Sequence, residues 1–243
     1  MGGRSGYEFF ETDSNYLYTI CQWFPRMAMY NDVYGWQNKQ FLGRGEFTLD
    51  FGDYDVRITV PADHIVASTG ELQNMMEVLT KEQIDRYKKS RSASSPMIII
   101  SQDEAIINEK SRSKKVKTWR YKAKNVRDFA FTSSRKFIWD AMGVKLGDRT
   151  VMAMSYYPKE ANPLYERYST RAVAHTLNVY SRYTFDYPYP VAISVEAANG
   201  MEYPMICFNY GRPQKDGTYS ERIKYGMISV IIHEVGHNYF PMI

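Results

Sequence analysis

The spacing of apolar residues changes once along this chain, and that change limits the folds open to it. In the first part the period is two. In "YDVRITVP", Val56, Ile58 and Val60 alternate with Asp55, Arg57 and Thr59, which describes a half-buried strand. "NYLYTICQWF" and "QFLGRGEFTLDF" are aromatic and branched runs separated by the turn-rich "YNDVYGWQN". "LTKEQIDRYKKS" reads as a short helix, "SRSASSP" as a loop and "PMIII" as a strand. From about residue 150 helical periods enter. "TVMAMSYYP" is a strand, followed by a long amphipathic helix with Asn162 as N-cap and Pro163 at its first position. Tyr165, Tyr168, Ala172, Thr176, Val179 and Tyr183 mark its apolar face at spacings of three and four. "DYPYP" stops that helix, "VAISVEA" resumes strand, "GMEYPMICFNY" is a further extended segment and "GRPQKDGTYS" a loop. Ser220 caps a last helix through "ERIKYGMISVIIHEVGHNYF" to Pro241. The expectation is an α+β chain of two domains, a β-rich 1–148 and an alternating α/β 149–243, divided near "LGDRT".

Composition removes several classes of function. A net charge of +4 over 243 residues offers no broad cationic field, so neither nucleic acid nor a membrane surface is indicated as a partner. The basic run at 110–124 supports this. Trp119, Tyr121 and Ala123 alternate with Arg120, Lys122 and Lys124, as in a strand with one solvated cationic face, expected at a sheet edge. Nucleic-acid binding through Lys114, Lys115 and Lys117 is the rejected alternative. No apolar run reaches the length of a membrane span, and "MGGRSGYEFF" has no apolar core of a signal peptide. Cys21 and Cys207 have no metal-binding or redox spacing, which leaves both a long-range disulfide and two thiols open.

The chemistry is concentrated in "HEVGH". His233 and His237 are four residues apart, so on a helix their rings aim at a common point. Two imidazoles so placed form half of a tetrahedral zinc site, and Glu234 between them can act as general base toward a zinc-bound water. The implied reaction is metal-assisted hydrolysis. The apolar "MISVII" before it predicts a buried helix. A catalytic zinc takes a third protein ligand. His64, in a turn, and His175, on the long helix, are read as packing histidines rather than as that ligand.

Upstream stands "NGMEYPM", an extended segment ahead of the HEVGH helix. This combination resembles the aminopeptidase N-type zinc metallopeptidases, the gluzincins, in which a G-x-M-E-N motif precedes HExxH. "QWFPRMAMYNDVYGW", "GEFTLDFGDYDVRITVPADHIVASTGELQN" and "VRDFAFTSSRKF" look like the saddle-shaped β domain of the bacterial members, so the resemblance covers nearly the whole chain. Asn199 stands where the motif has its first Gly, and Tyr203 where it has Asn.

The resemblance implies a saddle-like β domain followed by part of a thermolysin-like catalytic domain. It implies zinc held by His233 and His237, Glu234 as the base, and Glu202, with Gly200 and Met201 beside it, binding the free α-amine of a peptide. A carboxylate there pairs with the N-terminal ammonium and sets the register for removing one residue. The third zinc ligand, a Glu on the next helix in that family, is expected downstream of residue 243. The chain is accordingly expected to be an internal fragment, inactive alone and weak in zinc binding, from a parent that hydrolyses N-terminal peptide bonds. Bacterial relatives with this β domain are often exported, which allows a periplasmic setting. The alternative from another class is a pseudo-peptidase module that binds peptide or protein without cutting it. Side-chain preference and oligomeric state are not encoded in these motifs.

Overall fold

The structure is a computed structural model that describes residues 5–39, 48–198 and 200–240. The chain opens with a hairpin of β1 (Gly6–Phe10) and β2 (Asn15–Ile20), then a short one of β3 (Met29–Asn31) and β4 (Gly35–Gln37). The long β5 (Gly52–Pro61), β6 (Ile65–Ser68) and β7 (Glu71–Leu72) follow. Next come α1 (Met75–Val78), α2 (Lys81–Ser90), β8 (Met97–Ile100) and α3 (Gln102–Ser111). Then run β9 (Val116–Val126), β10 (Phe131–Ser134), β11 (Ile138–Leu146) and β12 (Arg149–Tyr157). The last elements are α4 (Leu164–Tyr183), β13 (Val191–Glu196), β14 (Met201–Tyr203), β15 (Ile206–Asn209) and α5 (Glu221–Gly236).

Separate antiparallel sheets and a mixed sheet flanked by helices make this an α+β fold. The strand orders are β1-β2-β10-β6, β5-β9-β7 and, in the six-stranded sheet, β14-β15-β13-β12-β11-β8. β12, β13 and β15 run parallel, with α4 as the crossover between β12 and β13. Residue 148, the expected boundary, lies in the turn between β11 and β12. Those strands pair from Ile138–Tyr157 to Leu146–Arg149. The six-stranded sheet therefore takes β8 and β11 from one side of that position and its other four strands from the other.

α4 and α5 cover one face of this sheet, and α2 and the three-stranded sheet approach the other. α4 packs on β11, β12 and β13, and α5 on β13, β14, β15 and α4. On the opposite face Trp139 and Tyr156 stack on each other at 5.1 Å and meet Tyr87 of α2 and Tyr121 of β9 around a small cavity. Tyr121 and Trp119 are buried on β9 as their alternation predicts. β9 is however the middle strand of its sheet, between β5 and β7, and not an edge. Its cationic face is solvated, with Arg120 held by Asp55 through two hydrogen bonds.

Other expectations need correction. α3 is a helix that the alternation gave no hint of. Its signal was the capping box "SQDE", in which Ser101 and Glu104 satisfy each other's backbone N–H. Asn162 does not cap α4; Pro163 takes the N-cap position and the helix starts at Leu164. Of the expected apolar face, Tyr165, Ala172 and Thr176 are buried, Tyr183 is 77% exposed, and the buried stripe also takes in Leu164, Ser169, Thr170, Val173 and Leu177. Each fully buried aliphatic side chain there contributes roughly 2 kcal/mol. Ser169 and Thr170 belong to the stripe because the sheet offers them partners. Thr170 donates to Asp140 and lies 2.7 Å from Ser155, while Ser169 bonds Ser155 at 2.8 Å and Ser194 at 3.1 Å. Asn209 continues the seam to Ser194 at 2.9 Å. Burial pushes the Asp140 carboxyl up to about 7 against the hydrogen bonds from Thr170 and Tyr157. The run at 40–51 is described only from residue 48, and β5 begins at Gly52. Pro241 and Asn199 lie outside the described residues.

Two charge clusters fasten the first hairpin to the rest. Lys136, fully buried, pairs with Asp13, with Glu109 at 2.9 Å and with Glu160 at 3.0 Å. Arg212 binds Glu8 through contacts of 2.5 and 2.8 Å and Glu196 through contacts of 3.0 and 2.8 Å. The ring of Phe10 lies between the Lys136 and Arg212 cations, at 4.5 and 5.0 Å.

His64 is a packing histidine. Its Nδ1 lies 2.7 Å from Ser133 Oγ, and its ring stacks on Tyr18. Burial, aided by Arg135 and opposed by Asp63, pushes it down to about 4. The unfolded chain therefore takes up a proton between about pH 6.5 and 4 that the folded chain refuses. This contribution is complete above that window and lost as pH falls through it, roughly 3 kcal/mol in total. Urea unfolding of wild type and His64→Gln at pH 7 and 4.5 should show a smaller acid loss in the variant. Equal losses would refute the neutral, buried state of His64.

Candidate metal centre

The site forms where the edge strand β14 meets the end of α5. Period two decides which way the "GMEYP" side chains point. Glu202 sits opposite Cys207 in the β14–β15 pairing, and Cys207 belongs to the face that carries Asn209 and Ser194. Glu202 therefore faces the helices, while Met201 and Tyr203 turn to the other face and are buried at 5% and 2%. Gly200 precedes the strand with φ of +45° and open space where a Cβ would stand, so its backbone conformation and not crowding calls for glycine.

α5 is capped by Ser220, whose Oγ accepts from the Ile223 N–H at 3.3 Å. The regular helix ends at Gly236. His237 keeps helical backbone angles, and its N–H donates to the His233 carbonyl at 3.2 Å, so the one-turn relation between the histidines is intact. The helix is less buried than its apolar run predicts: Met227, Ile231 and Val235 are covered, while Val230 and Ile232 are half-buried. Gly236 faces α4. A Cβ there would lie 3.0 Å from Cε1 and Oη of Tyr180, so glycine lets the two helices approach at the level of the histidines. Tyr239 follows, inserted against Tyr180 and Tyr187, with its hydroxyl donating to the Leu177 carbonyl at 3.1 Å.

This arrangement brings together four of the residues singled out in the sequence. The Nε2 atoms of His233 and His237 are 3.1 Å apart, with the rings at 87°. Ligand atoms of Glu202, Glu234 and His237 lie within 4.8 Å of one another. Glu234 is buried, His237 half-buried and His233 exposed. Two nitrogens bound to one tetrahedral zinc at about 2.05 Å stand about 3.3 Å apart. The histidine pair thus has the span of one edge of such a site, and the donor set of imidazoles and carboxylates suits zinc. Among the described residues, neither His64 nor His175 enters this cluster. Met201 borders it by its backbone, since its side chain is in the core.

Sequence reasoning missed what surrounds the cluster. Cys207 and Cys21 are both buried and not joined to each other; burial pushes the Cys207 thiol up, and the Glu234 and Glu202 carboxylates add to this. Glu196, at the end of β13, is fully buried, and its carboxyl is pushed up to about 7 by burial, against the Arg212 charge. Next to it, Ala197 and Ala198 wall a cavity of about 180 Å³ with Gly6, Tyr7 and Leu17 of the first hairpin. A larger cavity, about 700 Å³, lies apart from the cluster, around Arg57, Asn74 and Lys88. No membrane-crossing helix occurs among the described residues.

No family model matches the sequence, and no curated protein matches it. Solved structures share the fold. The M1 zinc metallopeptidase from Deinococcus radiodurans matches with a TM-score of 0.52 and 15% identity, covering 99% of this chain and 42% of its own. A mutant of a two-domain M1 zinc metallopeptidase bound to L-arginine gives 0.51 and 16%, covering 98% and 42%. A mutant of the Deinococcus enzyme bound to a Tyr-Ser-Ala substrate gives 0.50 and 15%, covering 99% and 43%. The chain spans about two fifths of the length of these structures, and what it shares with them is the fold.

Gly236→Ala should cost about 1–3 kcal/mol in chemical unfolding, because Tyr180 must give way in a packed contact. Adding Tyr180→Leu should recover part of the loss. An unchanged midpoint in Gly236→Ala would show that the α4–α5 approach does not depend on this glycine.

Proposed function

We propose that the chain carries zinc-binding and catalytic groups of a metallopeptidase of the aminopeptidase class. The observation that supports this most is the convergence of the histidine pair with the carboxylates of Glu234 and Glu202 beside an edge strand. On this reading His233 and His237 hold the zinc, and the chain joins a saddle-like β part to part of a thermolysin-like domain, with the six-stranded sheet running across the expected boundary at residue 148. Zinc supplies Lewis acidity, acidifying water and polarising a peptide carbonyl.

Each of the chain's own residues then has a task. Glu234, held on the helix between the two ligands, takes a proton from the attacking water and returns it to the leaving amine. Among the described residues the outer edge of β14 has no partner strand in the six-stranded sheet, so an extended peptide can add to it by backbone hydrogen bonds. Glu202 projects from that strand toward the histidines and receives the α-ammonium, with Gly200 and the backbone of Met201 shaping the approach. A charge-assisted pair at this point selects peptides with a free terminus. The substrate is accordingly a peptide whose N-terminal bond is cleaved.

Zinc titration of the chain followed by calorimetry tests the ligands. His233→Ala and His237→Ala should each weaken binding more than tenfold, and Glu234→Gln should leave it within a few-fold. Zinc affinity indifferent to both histidines would end the proposal. Where peptide turnover is measured, Glu234→Gln should lower kcat by a factor on the order of 1,000 with zinc still bound. Turnover close to wild type would remove Glu234 from the role of base and favour a module that binds peptide without cutting it.

A further inference from the structure

The helix that bears the histidines and the strand that bears Glu202 are separate elements, and one side chain joins them at the site. Asn238 directly follows His237 and is 2% exposed. Its Oδ1 accepts the backbone N–H of Met205 at 2.7 Å and the Tyr187 hydroxyl at 3.4 Å. Its Nδ2 lies 3.5 Å from the Tyr203 carbonyl, one residue past Glu202. The amide thus grips both sides of the turn between β14 and β15.

That turn needs support. Pro204 and Met205 connect the paired Tyr203 and Ile206, and Met205 has φ of +68°. Proline followed by a residue of positive φ is the pattern of a type II turn, which normally places glycine second. A methionine there is held in a left-handed conformation that costs about 1–2 kcal/mol. Met205 is also buried, so its N–H must find an acceptor. Asn238 supplies it, while the Met205 carbonyl accepts from Ile193 N at 2.9 Å. The conformation of the turn in turn sets where β14, and with it Glu202, stands relative to His237.

We propose that Asn238 is a positioning residue that holds Glu202 at working distance from the histidine pair by fixing the Pro204–Met205 turn. This rests on the reading of Glu202 as the receptor of a peptide amine. It adds that the preference for a free terminus is set from the helix side, through a residue that need not touch substrate.

The test uses the zinc-loaded chain, titrated calorimetrically with the peptide Tyr-Ser-Ala and with its N-acetylated form. Wild type should prefer the free amine. Asn238→Ala should lower that preference about tenfold, because small misplacement of a binding group is expensive, while zinc affinity stays within a few-fold. A general loss of fold would weaken zinc and both peptides together and leave the preference unchanged. Adding Met205→Gly should restore most of the preference, since glycine takes the left-handed conformation without support. This double variant also decides the matter if Asn238→Ala alone fails to fold. An unchanged preference in Asn238→Ala, or a double variant that remains impaired, overturns the proposal. A wild-type chain that binds zinc but does not distinguish the two peptides overturns the reading of Glu202 and this inference with it.

Discussion

The pairing of β11 with β12 is the constraint on which the rest of the molecule depends. It runs unbroken from Ile138–Tyr157 to Leu146–Arg149 and makes one six-stranded sheet out of strands from both halves of the chain. On that sheet β12, β13 and β15 are parallel, so each addition requires a crossover, and α4 is laid across the face to provide one. The seam of Asp140, Ser155, Ser169, Thr170, Ser194 and Asn209 then holds α4 to the strands. A buried network of this kind specifies one docking of helix on sheet, because a slip would strand several polar groups at once.

The candidate centre inherits its geometry from this frame. β15 lies beside β13, β14 folds back along β15, and the alternation of side chains presents Glu202 to the helical face. α5 crosses the same face and brings Glu234 and the histidines to meet it. The close approach of Gly236 to Tyr180 and the insertion of Tyr239 fix the helix end from the α4 side. Asn238 fixes it from the strand side. The exposed His233 and half-buried His237 are thus attached to a rigid base although they stand at the surface.

Much of this was legible in the residues, for reasons that can be named. Strong alternation in "YDVRITVP" and "TWRYKA" marked β5 and β9, because a half-buried strand must separate its faces. The helical spacing of His233 and His237 survived at the very end of α5, because backbone geometry alone determines it. What failed depended on distant partners. The polar Ser169 and Thr170, not among the residues that mark the apolar face by spacing, are buried, since serine and aspartate on neighbouring strands receive them. β9 looked like an edge, since nothing local announces that the two-residue β7 will pair with it. "GMEYPMICFNY" looked like one extended segment, since a Pro204–Met205 turn without glycine is a weak local signal.

The sequence by itself determined the chemical inventory: two imidazoles one helical turn apart, a carboxylate between them, and a second carboxylate on an upstream strand. Periodicity and covalent geometry suffice for that, because each relation is local. Only the tertiary structure decided that these groups meet, that Met201 turns into the core while Glu202 faces the helix, and that Asn238 joins strand to helix. Those outcomes depend on strand register and on side chains far apart in sequence. A register shifted by one residue would send Glu202 to the opposite face with every residue of the chain unchanged.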